Sequence, residues 1–197
     1  MDCILIRSIF MEKTALETTM SHAFLFPMPT VLVGTEVDGK PNYMTAAWCS
    51  PACASPPMIA VAINHIRHTT LGIKEKNAFS INVPSTGQVV ETDYCGIVSG
   101  DKTDKSRVFT PFYGSLRVPM AKECPFNVEC GLHTSVDLGS HVLYIGKVEG
   151  VFVDQDCAAD YNPDPVKIDP IVYIKGKYYH VGKVFADAFQ AGKQYKE

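Results

Sequence analysis

The sequence has little net charge and no long apolar run. Its 197 residues include 18 basic and 21 acidic side chains, a formal net charge of −3 with histidine neutral. No dense Lys/Arg stripe occurs, and without a broad positive field we expect no nucleic-acid partner. The apolar stretch at residues 3–6 is far shorter than the ~20 residues of a membrane span, and Glu12 and Glu17 follow it without a cleavage pattern. We therefore expect a cytoplasmic protein with no membrane segment.

Metal-binding cysteine repeats are also missing. The chain has seven cysteines, and the closest pairs, Cys49/Cys53 and Cys124/Cys130, do not form the Cys-x-x-Cys repeats that bind zinc or iron–sulfur clusters. An odd number of cysteines without a secretion signal indicates reduced thiols rather than a disulfide framework. We predict no metal site.

Four motifs of common nucleotide-binding or catalytic sites do not occur. The sequence has no Gly-x-Gly-x-x-Gly after a strand and no Gly-x-x-x-x-Gly-Lys-Ser/Thr, which argues against a dinucleotide-binding βαβ unit and a P-loop. It also has neither a nucleophile elbow nor a paired carboxylate motif, so hydrolytic chemistry has no positive support. Any bound phosphate must be held in another way.

The segments that do occur are mostly strand-like. Residues 30–37 are rich in β-branched side chains and lead into Asp38-Gly39, a strong hairpin signal. The apolar run at residues 58–64 predicts a buried central strand that begins at Pro57. Short helices are predicted from Thr69 to Asn77 and over residues 87–98. Further strands are predicted at residues 79–83, 127–136, 141–153, 171–173 and 178–181.

Many strands and few helices predict a mostly β protein that forms a closed or partly closed antiparallel barrel. The length suits one domain, since single domains most often have about 100–200 residues. We assign residues 23–197 to this domain and residues 1–22 to an N-terminal extension, a possible mobile arm with no assigned function.

The start of the first predicted helix offers a candidate phosphate clamp. Free backbone N–H groups, two hydroxyls and a guanidinium converge there. On the local sequence alone, a helix cap with a surface arginine is the favoured interpretation. The residues concerned are Arg67, His68, Thr69 and Thr70.

The order of these pieces, from residue 27 to residue 83, resembles the flavin reductase-like, FMN-binding split-barrel family. The resemblance covers residues 25–185 and implies a split β-barrel of antiparallel Greek-key type. It also implies that the turn at residues 67–70 binds the FMN phosphate and ribityl chain, and it adds Asn82 in the strand that follows. Six further residues would lie beside the isoalloxazine ring: Asn42, Thr45, Ala46, Ala47, Trp48 and Cys49. The position of Cys49 leaves open a redox-active thiol.

Two more pieces resemble motifs of this family. Residues 99–105 are similar to its Ser-Gly…Asp-Lys loop, which implies that Lys105 reaches the cofactor, with Lys102 as the alternative. Residues 137–148 resemble its Gly-Asp-His strand and imply that His141 faces the flavin where an electron donor would stack. Ser140 stands where the family has an acidic residue, so a possible carboxylate partner of the histidine is lost.

The resemblance implies a homodimeric, FMN-binding oxidoreductase of the flavin reductase or flavoredoxin type. Electrons would pass from a reduced donor such as NAD(P)H, through FMN, to flavin, ferric iron or a protein acceptor. The isoalloxazine carries the difficult chemistry, which agrees with the lack of a conspicuous catalytic constellation. The alternatives are a non-enzymatic flavin- or haem-binding carrier or sensor on the same barrel, and a pyridoxamine phosphate oxidase-like enzyme.

Overall fold

The structure is a computed structural model that describes residues 13–195. Within that range the strands are β1 (Met28–Pro29), β2 (Val31–Val37), β3 (Lys40–Ala46), β4 (Cys49–Ala54), β5 (Pro57–Asn64), β6 (Ala78–Val83), β7 (Pro111–Tyr113), β8 (Pro119–Ala121), β9 (Phe126–Asp137), β10 (His141–Val153), β11 (Ala158–Ala159), β12 (Asn162–Pro163), β13 (Val172–Ile174) and β14 (Lys177–Tyr179). The helices are α1 (Thr69–Lys76), α2 (Val89–Ile97) and α3 (Pro165–Ile168), with 3-10 turns at Thr86–Gln88, Gln155–Cys157 and Ala191–Gln194.

Seven strands form one antiparallel sheet in the order β3-β2-β6-β9-β10-β5-β4. Its two edge strands, β3 and β4, are consecutive in the chain and are joined only by Ala47 and Trp48. The two edges are therefore within about 11 Å of each other there, whereas seven flat strands would span roughly 29 Å. The sheet must curl into a barrel that is split between β3 and β4, which confirms the predicted fold.

The first hairpin follows the sequence signal. Val37 pairs with Lys40, so β2 and β3 are joined by a two-residue loop. Asp38 and Gly39 have φ values of 50° and 73°, and positive φ at both central positions is typical of the tight turns that match strand twist.

The barrel core follows from side-chain alternation along the strands. On β2, Val31 and Val33 point into the barrel, while Leu32 packs on the outside against Cys95 of α2 and Phe109. The inner cluster consists of Val31, Val33, Met44, Ala46, Val61, Ile63, Ile73, Phe79, Ile81, Val128, Cys130, Val142 and Tyr144.

The strand predicted to be buried, β5, is only partly so. It lies between β10 and the edge strand β4, and of its residues only Val61 and Ile63 are buried. The other face of β5 and most of β4 are open to solvent. The apolar run therefore reflects two faces with different surroundings, one in the barrel core and one on the surface.

Both longer helices agree with their predictions. The helix α1 ends at Asn77, which has a left-handed backbone conformation, as is common where helices stop. The second predicted helix is a 3-10 turn capped by Ser85 and Gln88, followed by α2.

The described part of the predicted N-terminal extension, residues 13–22, is exposed and has no helix or strand. The rest of that extension, residues 1–12, lies outside the described residues. Among the described residues, no helix is long and apolar enough to cross a membrane.

Candidate functional site

A cavity of about 360 Å³ opens where the barrel is split. Its volume lies within the range of small-molecule sites, about 300–1,000 Å³. Six of the residues predicted for the site line it: Thr45, Ala46, Ala47, Trp48, Arg67 and His141. We call it the ring cavity.

One wall of the ring cavity is aromatic. The indole of Trp48 and the imidazole of His141 are stacked, with centroids 4.7 Å apart and planes 30° apart, and Phe24 meets Trp48 edge-on. The Ser140 hydroxyl lies 2.8 Å from Nδ1 of His141. Ser140 thus gives the imidazole a hydrogen-bond partner but no charge, in contrast to a carboxylate.

Small residues line the cavity beside this wall. Ala46, Ala47 and Ala62 contribute only methyl groups, and Gly96 of α2 lies so close that an added Cβ would be 3.3 Å from Cβ of Thr45. The Thr45 hydroxyl donates to the Thr92 carbonyl of α2. Its side chain therefore fastens α2 to the cavity edge, and a planar ring can approach the alanines closely.

A buried cation lies at the other end of the site. Lys105 is 3% exposed, and its Nζ is 3.4 Å from the carbonyl oxygens of Cys95 and Val98. Within residues 13–195, no carboxylate forms an ion pair with it. Burial lowers the pKa of the Lys105 ammonium, and the nearby Arg67 lowers it further. An uncompensated buried charge is costly, so this end of the site favours an anion.

The ring cavity and the cationic end are adjacent. A pit of about 10 Å³ is lined by Arg67, which also lines the ring cavity, and by Lys105. Beyond the pit, a cleft of about 290 Å³ is lined by Asn42, His68 and again Lys105. An elongated ligand with an aromatic ring at one end and an anionic group at the other fits this shape.

The turn into α1 supplies backbone donors at the pit. The amides of Thr70 and Leu71 donate to the carbonyls of residues 67 and 68, whereas the amides of His68 and Thr69 have no acceptor within the described chain. Free N–H groups at a helix N-terminus favour anions. The two predicted hydroxyls are engaged locally, since Thr69 accepts a 2.9 Å hydrogen bond from Asn42 and Thr70 donates one to the Arg67 carbonyl.

Gly100 allows the loop that carries Lys105 to close over this turn. A Cβ at Gly100 would be 2.3 Å from Oδ1 of Asn42 and 2.8 Å from the His68 ring, closer than real Cβ contacts. Only glycine therefore lets residues 99–105 approach the turn, which places Lys105 in the pit.

The structure does not bring Asn82 to this site. Its side-chain amide donates to the Leu32 carbonyl and to Ser80, and its oxygen accepts from the Ala121 amide and from Asn127. Asn82 is fully buried and lines neither the ring cavity, the pit nor the cleft. Its side chain holds β8 against the outside of the barrel.

Cys49 lies beside the ring cavity, on an apolar groove of about 500 Å³. We define the apolar groove by its lining residues, which are Met20, Ala23, Phe24, Leu25, Pro27, Met28, Pro29, Ala47, Trp48, Cys49, Ser50, Ala60, Ala62 and Leu143. Burial raises the pKa of the Cys49 thiol to about 12. Because the thiolate is the reactive form, a redox role for this thiol is disfavoured.

We expect Cys49 to resist alkylation. A pKa of about 12 instead of the ordinary 9.0 lowers the thiolate fraction near neutral pH about a thousandfold. In a time course with iodoacetamide followed by peptide mass spectrometry, Cys53, which is exposed on the same strand, should react first. Modification of Cys49 as fast as Cys53 would contradict this assignment.

Of the eleven ring-cavity residues that were missed by sequence reasoning, five lie in or near a small three-stranded sheet: Phe24, Met28, Thr30, Tyr173 and Tyr178. They meet because β1 pairs with β13, which pairs with β14. These strands are two or three residues long, so no periodic pattern marks their partners. The Tyr178 hydroxyl donates to Asp93 of α2 over 2.7 Å, which ties this small sheet to α2.

Comparisons with known proteins agree with this architecture. The sequence profile of the flavin reductase like domain matches residues 20–182. The structure is similar to a flavoredoxin from Methanosarcina acetivorans, with a TM-score of 0.89, 36% identity and coverage of 93% of this chain and 98% of that one. It is also similar to the flavoredoxin of Desulfovibrio vulgaris (Miyazaki F), with a TM-score of 0.82, 37% identity and coverage of 92% and 100%.

A curated relative, an uncharacterised protein of Archaeoglobus fulgidus, is 35% identical over 144 residues, which is 72% of this chain and 80% of the relative. The profile match spans most of the chain and both solved structures align over nearly its whole length. The chain belongs to the flavin reductase-like domain family.

Proposed function

We propose that this chain binds FMN and acts as an oxidoreductase of the flavin reductase or flavoredoxin type. It takes electrons from a reduced donor such as NADH or NADPH and passes them to flavin, ferric ion or a protein partner. The observation that carries this proposal is that an aromatic ring cavity and a buried cationic pit lie side by side and share Arg67 in their linings. The similarity to two flavoredoxins supports the same type.

The residues present fit a flavin phosphate. The Lys105 ammonium is buried and Arg67 is beside it. Among residues 13–195, Lys105 has no counter-charge and the two backbone amides at the start of α1 have no acceptor. A phosphate monoester satisfies all of these groups with charge-assisted hydrogen bonds. In the ring cavity, the buried hydroxyl of Thr30 has no partner among residues 13–195, which agrees with a ligand that carries polar atoms there.

In this proposal each part of the site has one task. Ala46, Ala47 and Trp48 hold the ring, while Arg67, the amides of residues 68–69 and Lys105 hold the phosphate. The hydrogen bond that Asn42 donates to Thr69 fixes the turn at residues 67–70, between the aromatic end and the cationic end of the site. When bound, FMN would supply hydride acceptance and electron transfer.

His141 positions the electron donor. Ser140 occupies its Nδ1, and the stack with Trp48 fixes the plane of the ring. Nε2 is then the nitrogen that can meet a polar group of the donor, and the imidazole can hold a proton near the charge that develops on reduction.

A visible spectrum tests this function. The purified protein, as isolated or after addition of FMN and gel filtration, should show flavin absorbance near stoichiometric amounts. Anaerobic NADH or NADPH should then bleach that absorbance, and air should restore it. No retained flavin would refute FMN binding. Retention without bleaching by either nucleotide would refute the nicotinamide donor and support a carrier or a protein-fed flavoredoxin.

We also propose that the protein is a homodimer. The edge strand β4 and the outer face of β5 are open to solvent beside the ring cavity. Exposed edge strands are prone to pair with another chain, and closed two-fold dimers are the commonest oligomers. Sedimentation equilibrium should give twice the mass of the chain.

A further inference from the structure

The C-terminal segment, residues 181–195, carries large apolar side chains that are exposed in the described structure. Phe185 and Phe189 are 99% and 94% exposed, and Val184 and Tyr195 are each 83% exposed. Every hydrogen bond found for residues 181–195 joins two residues of this segment, and no ion pair or ring contact links it to the rest of the described chain. Large side chains in this state indicate a surface made for another molecule.

The segment has the residue spacing of an amphipathic helix. Val181, Phe185 and Phe189 recur at intervals of four, the spacing by which an amphipathic helix inserts into an apolar groove. The structure has no helix here before the 3-10 turn Ala191–Gln194. A segment with this pattern that is irregular and exposed is typical of chains that order on binding.

The apolar groove is the complementary surface. The groove lies near the start of the C-terminal segment. The segment follows β14, which ends at Tyr179 and belongs to the same sheet as β1, and both residues of β1 line the groove. Ser50 is the only lining residue with a hydroxyl group. Leu25, which also lines the groove, is 86% exposed. The chain's own C-terminal segment leaves the groove uncovered.

We infer that the C-terminal segment of one copy occupies the apolar groove of a second copy, and the reverse. The inference rests on the homodimer of the proposed function and specifies its contact. Fifteen residues span about 22 Å as a helix and up to about 50 Å when extended. Such an exchange is isologous and closes at two chains.

The area available is sufficient for a stable dimer. Three aromatic side chains bury about 450–750 Å² per segment. Two segments then bury about 900–1,500 Å², and the grooves that they cover bury a similar area again. Stable interfaces bury about 1,200–2,000 Å² in total.

The exchange would also shield the site. The apolar groove and the ring cavity share Phe24, Met28, Ala47, Trp48 and Ala62. A segment seated on Trp48 of the other copy excludes water from one side of the ring cavity, so each copy completes the surroundings of the other copy's site.

A photocross-link tests the contact directly. The full chain with p-benzoylphenylalanine in place of Phe185 is illuminated as the purified protein and separated on a denaturing gel. We expect a product of twice the chain mass whose linked peptide maps to residues 20–29 or 47–62 or to Leu143. Cross-links within one chain, to residues 1–12, or to another surface of the second copy would each overturn the inference.

A variant pair tests the energetics. Phe185→Ser with Phe189→Ser removes four Phe side chains from the reciprocal contact. It should raise the dissociation constant of the dimer about ten-thousandfold or more, since each buried Phe contributes about tenfold or more. Tyr161→Ser is the matched control, because Tyr161 is an equally exposed aromatic residue that belongs neither to residues 181–195 nor to the lining of the apolar groove. It should leave the dissociation constant of the dimer unchanged. The dissociation constants of both variants are measured by sedimentation equilibrium, and thermal unfolding checks that both variants are folded.

The outcomes separate this inference from the proposed function. If the double variant remains as tight a dimer as wild type, the exchange is wrong and the homodimer stands on another surface. If the wild type is a monomer, both the exchange and the proposed homodimer are wrong. FMN retention by the wild type is measured separately and decides the cofactor.

Discussion

Replacement of Lys105 by methionine is expected to weaken FMN binding by about 10- to 150-fold, because a hydrogen bond to a charged group contributes about 1.5–3 kcal/mol. Methionine keeps most of the apolar stem and removes only the ammonium. The dissociation constant is measured by quenching of flavin fluorescence. Riboflavin, which lacks the phosphate, should bind wild type and variant equally, and that comparison assigns the lost interaction to the phosphate.

Lys102→Met is the matched control for Lys105. Lys102 lies in the same loop and lines the cleft, but its side chain is exposed. An exposed charge is screened by solvent, so this variant should bind FMN within about threefold of wild type. A large loss for Lys102→Met with none for Lys105→Met would exchange the roles of the two lysines and contradict the assignment of the pit.

Lys105→Met should also stabilise the flavin-free protein. In the folded protein, burial lowers the pKa of Lys105. At pH values between this lowered pKa and the ordinary value of 10.5, the native state therefore binds fewer protons than the unfolded chain. Wild-type stability should therefore rise with pH across that window. Lys105→Met should lack this rise and should unfold at a higher temperature than wild type at neutral pH. With FMN present the order should reverse.

Lys105 also shows which part of the site a sequence can predict. Its place near the cofactor follows from the resemblance of residues 99–105 to a family loop. Its burial does not, because a loop with so many charges is ordinarily solvated. Gly100 is what brings the loop onto Asn42 and His68, and the need for a glycine there arises from residues that are distant in sequence.

The same distinction holds for the fold. The hairpin at Asp38-Gly39 and the start of α1 were predictable because their signals lie within a few residues. The wall formed by Met28 and Tyr173 was not, because β1 and β13 are very short and pair across most of the chain. The C-terminal segment is a third case, since its helical spacing is visible in the sequence but within residues 13–195 its aromatic side chains remain exposed.

Asn82 was assigned to the cofactor by resemblance, and the structure places it elsewhere. On β6 it points away from the barrel core, toward β8, together with Ser80, whose hydroxyl donates to the Pro119 carbonyl over 2.6 Å. Phe79 and Ile81 belong to the barrel core, so alternation along β6 places Ser80 and Asn82 on the opposite face, where residues 119–121 cover them. The polar character of Asn82 is explained by the hydrogen bonds that it makes there.

Asn82→Ala is therefore expected to destabilise the fold and leave the cofactor site intact. The substitution removes four hydrogen bonds and leaves the Ala121 amide and the Asn127 side chain short of a partner. Each unsatisfied buried group costs about 1–3 kcal/mol, so we expect a loss of about 3 kcal/mol, or roughly 6–12 °C in the unfolding temperature of a chain of this size. Below that temperature, the dissociation constant for FMN should stay within about twofold of wild type.

A double-mutant cycle with Asn127→Ala sharpens this prediction. Asn127 donates both to Asn82 and to the Ala121 carbonyl, so the two side chains form one buried network, whose members do not act additively. The double variant should lose less stability than the sum of the single losses, by about 1 kcal/mol or more. Additive losses would show that the two amides act separately. A weakened FMN affinity in Asn82→Ala at unchanged stability would return this residue to the cofactor site.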